Sequence, residues 1–203
     1  MDSKNKGVLF VLSAPSGCGK DTVLSKLKAF DNYNIKQSIS YTTRDIREDE
    51  VDGIDYYFTD VADFEQKIQE DFFLEYVKYG KNYYGTPCQK VKELIAAGHN
   101  VFLKIEVEGA GNIRKIFPES VSVFIVPPSI EVLEKRLRGR GTETEESVKV
   151  RLEIAKTELL RASEYDYIVV NDDIDDCIDD ICTIIKAENS KYIKMKEFVD
   201  SLK

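Results

Sequence analysis

The segment Ser13-Ala14-Pro15-Ser16-Gly17-Cys18-Gly19-Lys20-Asp21-Thr22 combines glycines, a lysine and hydroxyl side chains in a run that could hold a phosphate. Glycines let backbone N–H groups converge on an anion, and a helix start behind them adds partial positive charge. Lys20 can reach the terminal phosphates of a nucleotide. The usual pattern is G-x-x-x-x-G-K-[ST]. Here Ala14 takes the first glycine's place, Asp21 stands where Ser or Thr normally meets Mg²⁺, and Thr22 comes one place late. Ala14 is a mild change if φ stays below zero. A carboxylate beside a triphosphate is repelled unless a cation lies between them. Hard oxygen ligands suit Mg²⁺, so Asp21 is a candidate to hold it through a water. Thr22 is a second candidate, facing the metal or an α-phosphate. Asp21 also suits the first turn of any helix, and the loop alone would pass as strand, turn and helix with a solvated Lys20. Cys18 reads as a small filler.

Three other segments concentrate polar chemistry. In Ser38–Phe58, hydroxyls such as Ser40 and two arginines, Arg44 and Arg47, can grip a phosphate, with Tyr56 as a further donor. Composition alone also fits a solvated charged loop. In Phe73–Pro87, the Glu75 carboxylate can accept a pair of N–H donors from a purine edge, with Asn82, Tyr84 and Thr86 adding polar contacts. Tyr83 and Tyr84 also suit simple packing. Arg136 and Arg140 lie four apart, on one helical face if the helix reaches that far, and Arg151 follows. Arginines converging on a site offset charge on a transferring phosphoryl group. A solvated basic helix end has the same composition.

The elements that must position these residues alternate. Val8–Leu12, Val101–Ile105, Val121–Val126 and Tyr167–Val170 are apolar runs with little alternation, as buried parallel strands require. Helical patterns follow at 20–29, Asn112–Ile116, Ser129–Leu137 with Ser129 as N-cap, and Ile174–Ala187. The fold class is therefore α/β, a parallel sheet flanked by helices. Two regions break the rhythm. Residues 35–85 hold short Tyr- and Phe-rich segments, Ile35–Tyr41, Asp55–Phe58 and Phe73–Tyr79, around a helix Val61–Ile68 capped by Asp60. They read as an inserted small mixed sheet. Arg138–Glu146 is a charged, glycine-punctuated flap, followed by a helix with its core stripe at Val148, Leu152, Ala155 and Leu159. A terminal helix over Lys191–Lys203 has no visible role, and His99 is expected to cap a helix end.

Bulk properties agree with a single-domain enzyme. At 203 residues and 42% hydrophobic content, the chain can bury one core. A net charge of −8 argues against general nucleic-acid binding, so phosphate binding must rest on clustered cations. Cys18, Cys88, Cys177 and Cys182 form no zinc-type pair and are expected to stay reduced. No apolar run nears the roughly 20 residues of a membrane span, and the polar start lacks a signal-peptide core, so a cytoplasmic location is expected.

Taken together, the segments resemble guanylate kinase. The carriers are Ala14-Pro15-Ser16-Gly17 with Gly19-Lys20, Thr42-Thr43-Arg44 with Arg47, Glu50-Val51 and Asp55-Tyr56, and Glu75-Tyr76 with Asn82-Tyr83-Tyr84-Gly85-Thr86. They continue through Glu108-Gly109-Ala110, Pro127-Pro128-Ser129, Arg136-Leu137 with Gly139-Arg140-Gly141-Thr142, and Glu164-Tyr165-Asp166-Tyr167 to Asn171-Asp172-Asp173. The resemblance implies a P-loop NTPase-type core, an inserted GMP-binding lobe and a lid. Within one domain the core would take about 1–34, 88–137 and 164–203, the lobe about 35–87 and the lid about 138–163. It implies ATP-dependent conversion of GMP, and of dGMP, to the diphosphate with Mg²⁺. The implied partners are these small molecules, with no nucleic acid or membrane, in a monomer or homodimer. By the resemblance, Ala14 to Thr22 with Arg136, Arg140 and Asn171 would bind ATP, Asn171 near adenine. Ser40, Arg44, Arg47, Tyr56 and Tyr84 would hold GMP, and Glu75, Thr86 and Glu106 would read guanine. Lys20, Arg44, Arg140 and Arg151 would stabilise the phosphoryl in flight. Asp21 stands where such proteins commonly have Ser or Gly, and Lys104 where they usually have an acidic residue, so the two are expected to pair. Another P-loop kinase and a catalytically silent interaction module of the same fold are the competing readings.

Overall fold

The computed structural model describes residues 6–139 and 144–203. In chain order the elements are β1 (Leu9–Ser13), α1 (Lys20–Leu27), β2 (Ile35–Ser38), β3 (Tyr41–Thr42), β4 (Tyr57–Phe58), α2 (Val61–Gln69), β5 (Phe73–Tyr79), β6 (Asn82–Pro87), α3 (Cys88–Ala96), β7 (Asn100–Lys104), α4 (Val107–Ile116), β8 (Val121–Val126), α5 (Ile130–Arg138), α6 (Glu145–Leu159), β9 (Tyr167–Val170), α7 (Ile174–Asn189) and α8 (Tyr192–Ser201). Five strands form one sheet in the order β2-β7-β1-β8-β9, and every pairing in it is parallel. Strand order reverses at β1, so the crevice beyond its C-terminal end is the natural ligand site of such a sheet.

All five residues of β1 are buried, which is why its sequence shows no polar alternation. Phe10 and Leu12 face a cluster completed by α1, α5, α6 and α7, while Leu9 and Val11 face α3 and α4. Phe10 stacks on Phe102 at 4.8 Å between ring centroids, and neither is exposed. Phe10→Ala should therefore cost about 3–5 kcal/mol, read as a lower denaturant midpoint at unchanged slope.

The second sheet has four strands in the order β4-β3-β6-β5, with β3 parallel to β4 and antiparallel to β6. Its core is aromatic. Phe64 of α2 is fully buried and stacks on Phe73 at 4.4 Å and Tyr83 at 5.2 Å. Asp60 caps α2 by accepting from the Asp63 N–H at 2.8 Å, and Ser129 caps α5 by accepting from Val132, as their sequences predict.

Three elements differ from expectation. Ile35–Ser38 belongs to the parallel sheet, at its edge beside β7, and only Tyr41 onward joins the small sheet. An edge strand of Ile, Lys, Gln and Ser lacks the apolar run that marks its neighbours. Helix α3 was not anticipated, although Val91, Leu94 and Ile95 recur at helical spacing and pack under the sheet. Helix α4 begins at Val107, not Asn112, because Gly109 and Gly111 mask its pattern. His99 follows α3 and its Nδ1 lies 2.6 Å from Asn34 Oδ1, tying that helix end to the start of β2. No described helix is long and apolar enough to cross a membrane.

Candidate active site

The phosphate-loop candidate joins β1 to α1 at the crevice. Gly17 and Gly19 have φ of 93° and 84°, in the left-handed region. A Cβ on Gly19 would also lie 2.8 Å from Asn171 Nδ2. Ala14 needs no such freedom; it is buried in the core with ordinary φ. Cys18 is fully buried, and burial pushes its thiol up to about 12, so it is an inert filler.

Two residues expected to bind ATP make hydrogen bonds within the protein. The buried Asn171 donates from Nδ2 to the Cys18 carbonyl at 2.8 Å and so fastens the loop to the end of β9. Arg136 donates from Nη1 to the Asn171 carbonyl at 2.8 Å and from Nη2 to the Asp172 carbonyl at 3.2 Å. It satisfies the carbonyls of the turn after β9 and does not line the cleft. Thr22 is exposed and does not line the cleft either. Arg140 and the centre of the expected flap, residues 140–143, lie outside the described residues.

Beyond the loop opens a cleft of about 510 Å³, lined among others by Lys20, Asp21, Arg44, Arg47, Tyr56, Tyr84, Lys104, Glu106 and Arg151. Three of its cations, Lys20, Arg44 and Lys104, have acidic partners. Lys20 Nζ donates to Glu106 Oε1 at 3.0 Å and to the Ile105 carbonyl at 3.3 Å, and only 12% of its side chain is exposed. Arg44 forks onto Glu50 through Nη1 at 2.9 Å and Nη2 at 2.6 Å. That contact holds the Glu50 carboxyl below the usual carboxylate range. The Arg47 backbone N–H donates to the same carboxylate at 2.9 Å, which fixes the Arg44–Glu50 turn. Lys104 Nζ meets Asp21 Oδ1 at 2.6 Å, so the expected pair is present. An entering phosphate must exchange with these carboxylates.

A smaller pocket of about 30 Å³ adjoins the cleft, lined by Ser40, Tyr56, Glu75, Tyr84, Lys104 and Glu106 among others. Glu75 is 5% exposed. Its Oε1 accepts from Thr86 Oγ1 at 2.8 Å, while its buried Oε2 has no partner among the described residues. Burial pushes the carboxyl up to about 7, against the Thr86 hydrogen bond. A buried orphan acceptor is costly unless a ligand supplies donors. Tyr56, pushed up to about 12 by burial, stays a neutral hydroxyl donor. Glu106, expected to read guanine, borders both cavities and accepts from Lys20.

Of one cleft face, sequence reasoning found Arg151 and missed Ile154 and Glu158. Arg151, Ile154 and Glu158 of α6 line the cleft beside the buried stripe Val148, Leu152 and Ala155. Their spacing of three and seven puts them on one helical stripe, and that was the available signal. Burial, reinforced by Glu106, pushes Glu158 up to about 7, opposed by Lys20 and a hydrogen bond from the Ser16 backbone N–H. Glu50, Asp55 and Tyr79 also border the cleft without having been singled out.

Comparison with known proteins gives the same architecture an identity. The family described as guanylate kinase matches residues 6–188. The crystal structure of guanylate kinase from Anaplasma phagocytophilum superposes with a TM-score of 0.80 at 34% identity, covering 98% of this chain and 96% of that one. An uncharacterized protein from Eubacterium ventriosum, 18% identical over 90% of this chain and 99% of its own, has a TM-score of 0.50 and shares the fold alone. A family match across nearly all of the sheet, the cleft and the small sheet, with one-third identity to a solved member, means that this chain belongs to the guanylate kinase family.

Proposed function

We propose that the Gly17–Lys20 loop takes ATP and that GMP lies between the Arg44–Glu50 turn and Glu75, the two meeting in one cleft. The activity is the ATP-dependent phosphorylation of GMP to GDP; dGMP is proposed as a second acceptor. The observation that carries the assignment is the orphaned Oε2 of Glu75, buried in a pocket that adjoins the Lys20 cleft. Guanine offers N1–H and a 2-amino group to the Glu75 carboxylate; adenine has no such pair. Thr86 orients the carboxylate through Oε1.

An acceptor phosphate oxygen attacks the γ-phosphorus, the bond from that phosphorus to the β–γ bridging oxygen breaks, and ADP leaves with the electron pair. The acceptor is already ionised, so no general base is required. Lys20, Arg44 and Arg151 are assigned to offset charge on the transferring group, with Arg140 proposed beside them. Arg47, Ser40, Tyr56 and Tyr84 would hold the acceptor phosphate. The lobe is proposed to start after β2, and a lid carrying α6 to close over the nucleotides and exclude water.

Mg²⁺ bound with ATP would offset phosphate charge. Such an ion takes one or two carboxylates, phosphate oxygens and waters. Among the described residues no group of three His, Cys, Asp or Glu side chains could hold a metal unaided. An ion that enters on the triphosphate fits that donor set, with Asp21 at the cleft offering one oxygen. The deciding measurement is coupled ADP release with ATP and each of GMP, dGMP, AMP, CMP and UMP. GMP should exceed AMP by about 10²-fold or more in kcat/KM. Silence with all five acceptors defeats the enzyme reading.

A further inference from the structure

Lys104 is the last residue of β7, paired in register with Leu12 just before the phosphate loop. It borders both the cleft and the Glu75 pocket. Its side chain is 14% exposed, whereas that of Asp21, which reaches it from the first turn of α1, is 73% exposed. The ammonium also lies 5.2 Å from the Tyr56 ring centroid, on the wall that the acceptor is proposed to contact. A half-buried cation thus borders both cavities, and its carboxylate partner is the more exposed of the two.

A pair with one partner this exposed contributes little to stability, so a purely structural staple is a weak account of a lysine placed there. An ammonium carries three donors, and Asp21 Oδ1 takes one of them. A monophosphate dianion brings more charge and more acceptor oxygens than one carboxylate. We infer that Lys104 is a binding residue for the phosphate of the acceptor nucleotide, and that Asp21 is a built-in competitor which holds the ammonium until that phosphate displaces it. The inference rests on the assignment of GMP as acceptor.

The sign of the Asp21 effect separates this role from a staple. GMP binding is measured by calorimetry without ATP or metal, alongside guanosine, which lacks the phosphate. Lys104→Met should weaken GMP binding about tenfold or more, the size of one charge-assisted hydrogen bond, and leave guanosine unaffected. Asp21→Asn should tighten GMP binding several-fold at low salt, and lose that gain in the Lys104→Met background. Thermal melts of each variant accompany the titrations. GMP affinity unchanged by Lys104→Met, or weakened alike by both single substitutions, overturns the inference. Turnover of GMP by the unaltered chain is measured in parallel. If it is present, such a result removes only the Lys104 role; if it is absent, the acceptor assignment falls and takes this inference with it.

Discussion

Replacing Lys20 with Met should lower kcat with GMP by about 10³-fold, roughly 4 kcal/mol of lost transition-state stabilisation. The side chain is 12% exposed and its ammonium is aimed into the cleft by Glu106 and the Ile105 carbonyl. The ammonium is held at the cleft before nucleotide arrives and exchanges Glu106 for phosphate oxygens on binding, so its charge is in place before charge builds on the phosphoryl oxygens. Met keeps the length and the apolar stem but removes the charge. The expected signature is an equal fall in kcat and kcat/KM, which marks an interaction made in the transition state. Folding should be preserved, because the partly exposed Glu106 can be solvated once its partner is gone. Lys20→Arg tests position: its fork is wider than the loop's ammonium site, so activity should stay well below that of the parent. A fall of less than tenfold in Lys20→Met would remove Lys20 from the catalytic set.

The loop residues were legible because each has a local reason. Gly17 and Gly19 adopt positive φ, and Lys20 follows at the first helical position. The parallel strands were legible because burial on both faces demands unbroken apolar runs. What stayed hidden depends on contacts far apart in sequence. Nothing local to Asn171 says that its amide will reach Cys18, which lies 153 positions away. Nor does anything local to Arg136 say that its guanidinium will reach the carbonyls of the turn after β9. Ile154 and Glu158, which line the cleft on the same stripe as Arg151, carry no local sign of it, because the phosphate loop they face lies on another element. Conversely, the Asp21–Lys104 pair was legible from two departures that cancel in charge, although their spacing in sequence is large.

Glu75→Gln should move stability and activity in opposite directions. Burial lifts the Glu75 carboxyl from its ordinary 4.5 to about 7 in the free protein. Between those values the folded chain holds more protons at this site than the unfolded chain, so stability falls as pH rises through that window. Above it the free protein carries a buried, half-satisfied carboxylate. Gln cannot ionise, so at pH 8 the variant should be more stable, by at most ~3 kcal/mol, and the gain should vanish near pH 4. Guanine binding needs the ionised form, since a protonated carboxyl offers one acceptor too few for N1–H and the 2-amino group. GMP uptake near neutral pH should therefore release a proton, and GMP affinity should weaken as pH falls below about 7, approaching tenfold per unit. Gln presents a donor where guanine also presents donors. GMP kcat/KM should drop about 10²-fold or more, with ATP affinity little changed. Chemical denaturation at pH 8 and pH 4, with GMP and ATP titrations beside it, reads all of this. If GMP binding proves independent of pH from 5 to 8 and Gln substitutes without loss, Glu75 does not read the base. The orphaned oxygen would then need another ligand to explain it.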